Sequence, residues 1–435
     1  MSAKLHLTRN TKPTSIELPP EIWALIFDWT THVPEAYDPD CLPRSFTHPP
    51  SKAQDQDRKK SLRSRSSLVR VCKAWSVLAS RNLFEHIIIA KDKHILPLRN
   101  ALLRSRYEPK CSGTSHHLGC YTKRLDISFK SGDIDKAITD LGDIIRRFPN
   151  LSIITISLDI SNRPRRRPHH GRDTDLASLA GPILDALSST CTSLRVLEIP
   201  PKSAFYIPTN DLHRVFSSFP KLRSFRNEGD MQYFLDPRES SCLHLAASLT
   251  TLALDDRYIK SVDVTLSPNP DTFPTLRTIM FYTNIRADRQ FLPFIRIHGS
   301  TLTTVMIRFS GTFTPQSFFR EVLKTIRTNC PRVVNFMIWF DHWHWMTDTG
   351  GLVVFRLPPS IRVLGIRCRA LQAESRAYES FFSRVVPQNG RVLRLLDERH
   401  VTDLCQKHAQ TFKGILQRLE QGGWQFQGPD ERVLL

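Results

Sequence analysis

Four residues able to ligate a metal fall within one short stretch: Cys111, His116, His117 and Cys120. A structural zinc ion takes four nitrogen or sulfur ligands in a tetrahedron. Two consecutive histidines seldom both turn to one ion, and the spacing is not that of a finger. A polar loop is therefore expected, and neither a metal nor any other cofactor is assigned. A second cluster, Asp341-His342-Trp343-His344-Trp345, sets indoles and imidazoles just after an apolar run. Tryptophan is enriched at interface hot spots, so Trp343 and Trp345 are candidate contacts to a protein target. Aromatic packing in a long loop is the competing reading. A third cluster runs from Ser161 to Arg172 and holds Arg163, Arg165, Arg166 and Arg167. It is a candidate nuclear-localisation signal or acidic-partner contact, against a solvated surface loop. The chain lacks a phosphate-binding glycine loop, an HExxH and a GxSxG. No catalytic residue is assigned, and the chain is not expected to be an enzyme.

Something must position these groups, and the bulk numbers limit what it can be. A chain of 435 residues exceeds what one compact core usually holds. Either it divides into domains or it extends as repeats. Apolar runs such as Phe336-Met337-Ile338-Trp339-Phe340 are far shorter than the ~20 residues of a membrane-spanning helix. The first ten residues lack the apolar core of a secretory signal. The nine cysteines are scattered and odd in number, which fits a reducing compartment, cytoplasmic and/or nuclear. The net charge of +19 favours acidic partners.

A short word then recurs: apolar, two residues, apolar, one residue, apolar. It stands at Leu151/Ile154/Ile156, Leu194/Leu197/Ile199, Leu222/Phe225, Leu249/Leu252/Leu254 and Leu276/Ile279/Phe281. It continues at Leu302/Val305/Ile307, Val333/Phe336/Ile338 and Ile361/Leu364/Ile366, with weak copies at Leu125/Ile127 and near Leu393/Leu396. The steps between first positions are 43, 28, 27, 27, 26, 31 and 28 residues. That period with that word is the signature of leucine-rich repeats. Each word is an expected short strand whose alternate side chains face a core. One repeat cannot bury its apolar face alone, so neighbours must stack. Helices are expected between the words, over Asp133–Phe148, over Asp175–Ser188, after Thr314-Pro315, and over Leu404–Leu419 as a closing element. The third apolar place is polar at Asn227.

Two helical stretches precede the repeats. Leu18-Pro19-Pro20-Glu21 suits a helix start, since proline loses no hydrogen bond in the first turn and a carboxylate favours the positive end of the dipole. Ile22, Leu25, Ile26 and Trp29 then form one apolar stripe. The second stretch runs from Ser67 to about Asn82, with Leu68, Val71, Cys72, Trp75, Leu78 and Ala79 at three- and four-residue steps. His86-Ile87-Ile88-Ile89 reads as a first strand. Between the stretches, about 33–66, proline and charge dominate, and a disordered or extended insert is expected.

The words Ile16-Glu17-Leu18-Pro19-Pro20-Glu21-Ile22-Trp23 and Leu68-Val69-Arg70-Val71-Cys72-Lys73-Ala74-Trp75, closed by Leu83-Phe84, resemble an F-box. With the repeats behind it, the chain resembles the large fungal F-box families with leucine-rich-repeat-like C-terminal domains. The fold this implies is α/β: a small all-α F-box module followed by an irregular leucine-rich-repeat solenoid with a parallel sheet. The expected division is a disordered tail at 1–15, the module at 16–90 and a connecting segment at 91–120. The solenoid then spans 121–420, with a tail or cap at 421–435.

The resemblance also implies a role. F-box proteins bind a Skp-family adaptor and, through it, a cullin, and present a protein substrate to a ubiquitin ligase of the SCF (Skp–cullin–F-box) type. The residues carried over as adaptor contacts are Leu18, Pro19, Ile22, Ile26, Leu68, Val69, Val71, Cys72 and Trp75. Two other classes stand beside this one. They are a repeat scaffold outside ubiquitination and a basic nucleic-acid-binding protein, the latter without any reader motif. Partners expected are the adaptor, the cullin and a protein target, with neither nucleic acid nor membrane.

Overall fold

The computed structural model describes residues 18–33, 36–38, 52–107, 117–130, 134–159, 180–200, 203, 205–228, 246–255, 270–284, 291–310, 316–343, 357–370, 374–386, 388 and 390–434. The fold is α/β. Among the described residues three helices come first: α1 (Pro20–Thr31), α2 (Lys52–Leu68) and α3 (Lys73–Glu85). Twelve strands follow in a single sheet: β1 (His86–Ile89), β2 (Arg124–Lys130), β3 (Ile153–Asp159), β4 (Val196–Ile199), β5 (Ser224–Asn227) and β6 (Thr251–Asp255). The second half is β7 (Thr278–Asn284), β8 (Thr304–Ser310), β9 (Asn335–Phe340), β10 (Val363–Cys368), β11 (Arg391–Leu395) and β12 (Trp424–Gln427). Spatial order equals chain order, and every pairing is parallel.

Between strands lie α4 (Ile95–Tyr107), α5 (Ile134–Ile145), α6 (Ala180–Thr190), α7 (Thr209–Ser218), α8 (Phe291–His298) and α9 (Gln316–Asn329). Near the end are α10 (Ser375–Phe382), α11 (Glu398–Lys407) and α12 (Ala409–Gln421).

The recurring word explains the sheet. Its first apolar residue ends a tight turn in which its N–H donates to the carbonyl three residues earlier. This turn occurs at Leu151, Leu194, Leu222, Leu249, Leu276, Leu302, Val333 and Ile361, at 3.0–3.2 Å. The second and third positions fall on alternate strand residues, so they share a face. In register they form a row from Ile87 through Leu125, Ile154, Leu197, Phe225, Leu252, Ile279, Val305, Phe336, Leu364 and Leu393 to Phe426. All are buried in one cluster with helix residues such as Ile138, Leu184, Val215, Phe294 and Val322. Asn227, the polar exception, is buried but satisfied: Nδ2 donates to the Ile207 carbonyl at 2.9 Å, and Oδ1 accepts from its N–H at 3.2 Å.

Several expectations need correction. The insert at 33–66 contains α2, which continues to Leu68, so part of it is helical and not disordered. The second stretch is not one helix from Ser67: a turn at Val69–Cys72 separates α2 from α3. Its cause is local, because the Cys72 backbone is extended and its Sγ accepts from Trp75 N–H at 3.4 Å, capping α3. The segment 91–120 is more than a connection, since α4 places Ile95 and Leu102 in the main core. The sheet begins before 121 and reaches past 420, because β1 pairs with β2 and β12 with β11. The closing helix over Leu404–Leu419 is two helices broken at His408, which leaves helical geometry. The tail at 1–15 lies outside the described residues.

One close approach constrains the start of the body. A Cβ on Gly119 would stand 2.0 Å from the Arg147 carbonyl oxygen, a backbone atom that cannot swing aside. Gly119→Ala should therefore destabilise the chain by ~1–3 kcal/mol, the range for overpacking a filled site. A urea midpoint unchanged by the substitution would contradict this packing.

Candidate partner-docking site

Helix α1 begins where proline permits it. Ile22 and Trp23 N–H groups donate to the Pro19 carbonyl at 3.0 and 3.3 Å. Pro20 occupies the first turn and Glu21 the favoured end of the dipole. Its inward residues are Phe27 and Thr31, both buried. The opposite stripe faces water: Ile22 and Ile26 are exposed, Leu25 is 58% exposed and Trp29 86%. Apolar residues at i, i+3, i+4 and i+7 share one helix face. On a globular body that face is normally buried, and here it is not. Val71, in the turn before α3, and Val77, on α3, are 60% and 75% exposed.

The exposed stripe is held from behind by aromatic and polar contacts. Trp75 packs at a tilt on Trp23 at 4.7 Å and edge-on against Phe27 at 4.9 Å between ring centroids, joining α3 to α1. Arg65 of α2 is 2% exposed. It donates to the Thr31 carbonyl at 3.0 Å, the Asn82 carbonyl at 3.0 Å and the Tyr37 hydroxyl at 2.8 Å. Ser61 Oγ donates to the same Thr31 carbonyl at 2.6 Å. Asn82 Nδ2 donates to Asp28 at 2.7 Å and to Thr31 Oγ1 at 3.2 Å. One arginine thus reaches the end of α1, the body of α3 and the 36–38 segment. Burial, opposed by the nearby Arg65 charge, pushes the Tyr37 hydroxyl up to about 12, so it stays protonated.

A second network fixes the helices to the sheet. His86 Nε2 of β1 lies 2.8 Å from Asp126 of β2. Arg58 of α2 also binds Asp126, as does Arg124 Nε at 3.1 Å. Burial first, then the charges of Arg124, Arg58 and Arg65, pull His86 from 6.5 to about 2. With Asp126 already held by two guanidiniums, the neutral imidazole serves as its N–H donor. The unfolded chain takes up a proton near 6.5 that the folded chain refuses. This contribution is therefore complete above pH 6.5 and is lost as pH falls toward 2, by about 1.4 kcal/mol per pH unit. Urea titrations above and below pH 6.5 should show that slope, and His86→Gln should flatten it. A wild-type profile level through this range would contradict the network.

Of the residues expected to contact an adaptor, Pro19, Ile22, Ile26, Val71 and Cys72 are exposed, while Leu18, Leu68, Val69 and Trp75 are half-buried. None is sealed inside. Leu25, Trp29 and Val77, outside that set, are exposed beside it. The stripe spacing already put Leu25 and Trp29 beside Ile22 and Ile26, whereas nothing in the sequence singles out Val77.

The other candidates fare differently. Trp343 is 1% exposed and packs on Phe340, Tyr378, Phe381, Phe382 and His400 at 4.7–6.1 Å, so it is core and cannot meet a target. The reason is α10, whose aromatic face closes over it. Trp345, Arg163, Arg165, Arg166, Arg167, Cys111 and His116 lie outside the described residues. Among the described residues no group of His, Cys, Asp and Glu could hold a metal, and no helix is long and apolar enough to cross a membrane. Ser375 Oγ sits 2.8 Å from His408 Nδ1, with Asp403 3.7 Å from Nε2. Asp403 also accepts from Tyr378 at 3.0 Å and pairs with Lys407 at 2.9 Å, so these residues tie α10 to α11. No protein-family model matches the chain, and no curated protein matches it in sequence.

Proposed function

We propose that the chain is the substrate-recognition adapter of an SCF-type ubiquitin ligase. The N-terminal helices act as an F-box that binds a Skp-family adaptor and, through it, a cullin. The sheet and its helices act as an irregular leucine-rich-repeat solenoid that holds a protein target. The observation that carries this reading is the water-facing stripe Ile22–Leu25–Ile26–Trp29 beside the Leu18-Pro19 and Val71-Cys72 words. An exposed apolar face on a well-anchored helix marks an interaction site. Sequential parallel strands, at word steps of 26–31 residues after a first step of 43, support the repeat reading. The chain performs no chemistry in this role: tethering raises the local concentration of target lysines near the conjugating enzyme.

Affinity purification of the tagged full chain, read by mass spectrometry, tests this. The expected result is recovery of a Skp-family adaptor together with a cullin. Recovery of other proteins with neither of these would assign the chain to repeat scaffolds instead. Removing residues 1–90 is a poor control, because it also strips β1 and the His86 network from the sheet. Point changes on the stripe avoid that.

A further inference from the structure

The sheet face turned away from the helices carries an arrangement that the adapter reading leaves unused. Register places Tyr282, Arg308, Trp339 and Arg367 side by side on β7 to β10. Neighbouring strands are ~4.8 Å apart, and the side chains stack. The Arg308 guanidinium lies 4.8 Å from the Tyr282 ring centroid and 4.0 Å from that of Trp339. Arg367 covers the other side of Trp339 at 4.0 Å. Two residues back on the same strands, Met280, Met306 and Met337 form a buried apolar floor with Ala253 and Leu396.

Stacking uses the faces of a guanidinium and leaves its N–H donors at the edge, in the plane. Arg308 Nε and Nη1 and Trp339 Nε1 have no hydrogen-bond acceptor. The nearest carboxylate, Glu228, stands 3.7 Å from Arg308 Nη1 and already takes 3.1 Å from Arg226. Its Oε1 is itself without a donor. Among the described residues around the stack, Arg226, Arg308, Arg367, Arg369 and Arg399 stand beside Glu228, Asp341 and Asp397. Arg308 is buried, whereas Arg367 is half-buried and makes no ion pair among the described residues, so an incoming oxyanion can pair with it.

We infer that this arginine–aromatic ladder is the target-reading surface of the body and that it takes an acidic polypeptide segment. The anionic oxygens meet the half-buried Arg367 guanidinium, and the apolar parts of the segment lie along the Tyr282 ring and the edge of Trp339. Burial first, and the neighbouring Arg308, Arg399 and Arg226 charges against the pull of Asp397, bring Arg367 down to about 10. The inference rests on the adapter reading for its biological role, while the binding itself does not depend on an adaptor.

Fluorescence anisotropy with the full chain tests it. The probes are a labelled Glu/Ser peptide, its Gln/Ser counterpart, a phosphoserine version and a single-stranded oligonucleotide. The Glu/Ser or phosphoserine peptide should bind and the Gln/Ser peptide should not. Which of the two binds more tightly identifies carboxylate or phosphate as the source of charge. Arg367→Gln and Trp339→Leu, both at half-buried positions, should each weaken that binding about tenfold, the loss of one charge-assisted or stacking contact. Neither should alter the binding of a Skp-family adaptor, whose proposed face lies on α1 and α3. Equal affinity for the Glu and Gln peptides, no binding of any peptide, or affinities indifferent to both substitutions would overturn the inference. So would an oligonucleotide that alone depends on Arg367. Loss of adaptor binding with peptide binding intact would instead count against the adapter reading.

Discussion

Replacing Arg65 with leucine is expected to separate the N-terminal helices at a cost on the order of 3 kcal/mol, the range for stripping a buried hydrogen-bond network. Arg65 holds the end of α1 through Thr31, α3 through Asn82 and the 36–38 segment through Tyr37, with Glu85 3.7 Å away. Leucine fills part of the space but donates nothing, so the Asn82 carbonyl and Tyr37 oxygen lose their partner. Ser61 still reaches the Thr31 carbonyl, and Lys123 still pairs with Glu85 at 2.8 Å, which limits the loss. Limited proteolysis should show cleavage between residues 18 and 85 accelerating while the sheet stays protected. Lysine at 65 should rescue little, because one ammonium cannot reach several acceptors at the angles that the planar fork does. Cleavage rates equal to wild type would show that the helices are held by something else.

The second large effect concerns binding. Leu25→Asp with Trp29→Asp should leave stability within ~0.5 kcal/mol, since both side chains already face water. The same pair should weaken a Skp-family adaptor by at least about 2 kcal/mol, or thirtyfold, by placing charges where apolar anchors would be desolvated. Val334→Asp, an exposed apolar residue beside β9, is the control and should change nothing. Titration calorimetry distinguishes the cases. An unaltered affinity in the double variant would move the docking face away from α1.

What the sequence reveals here depends on which force holds each element. The strands were legible because their words state burial directly: every second and third position of a word, even Asn227, ends up inside. Parallel pairing of sequence neighbours follows once a single strand with its helix is too small to bury its own face. The helix α2 was not legible, because no apolar stripe runs along Lys52–Leu68. It is fixed by side chains reaching across to other elements, Ser61 and Arg65 to α1 and α3 and Arg58 to Asp126. Periodicity carries no trace of partners so distant in sequence. For Trp343 the sequence leaves target contact and aromatic packing both open, for a related reason. Its burial comes from α10, an element whose Tyr378, Phe381 and Phe382 give a short aromatic pattern and no repeat word. The ladder on the outer sheet face was invisible for yet another cause: Tyr282, Arg308, Trp339 and Arg367 are unremarkable until register lines them up.

The stripe on α1 was visible as a pattern, but a pattern alone does not say whether water or protein covers it. Only the arrangement of Phe27 and Thr31 inward, with Leu25 and Trp29 outward, decides that. The most direct measurement is therefore a hydrogen-exchange footprint of the full chain with and without a purified Skp-family adaptor. The adapter reading predicts slowed exchange over Leu18–Thr31 and around Val69–Val77, with the strands unchanged. Exchange that is unaltered in those two segments, or slowed only along the sheet, would contradict it.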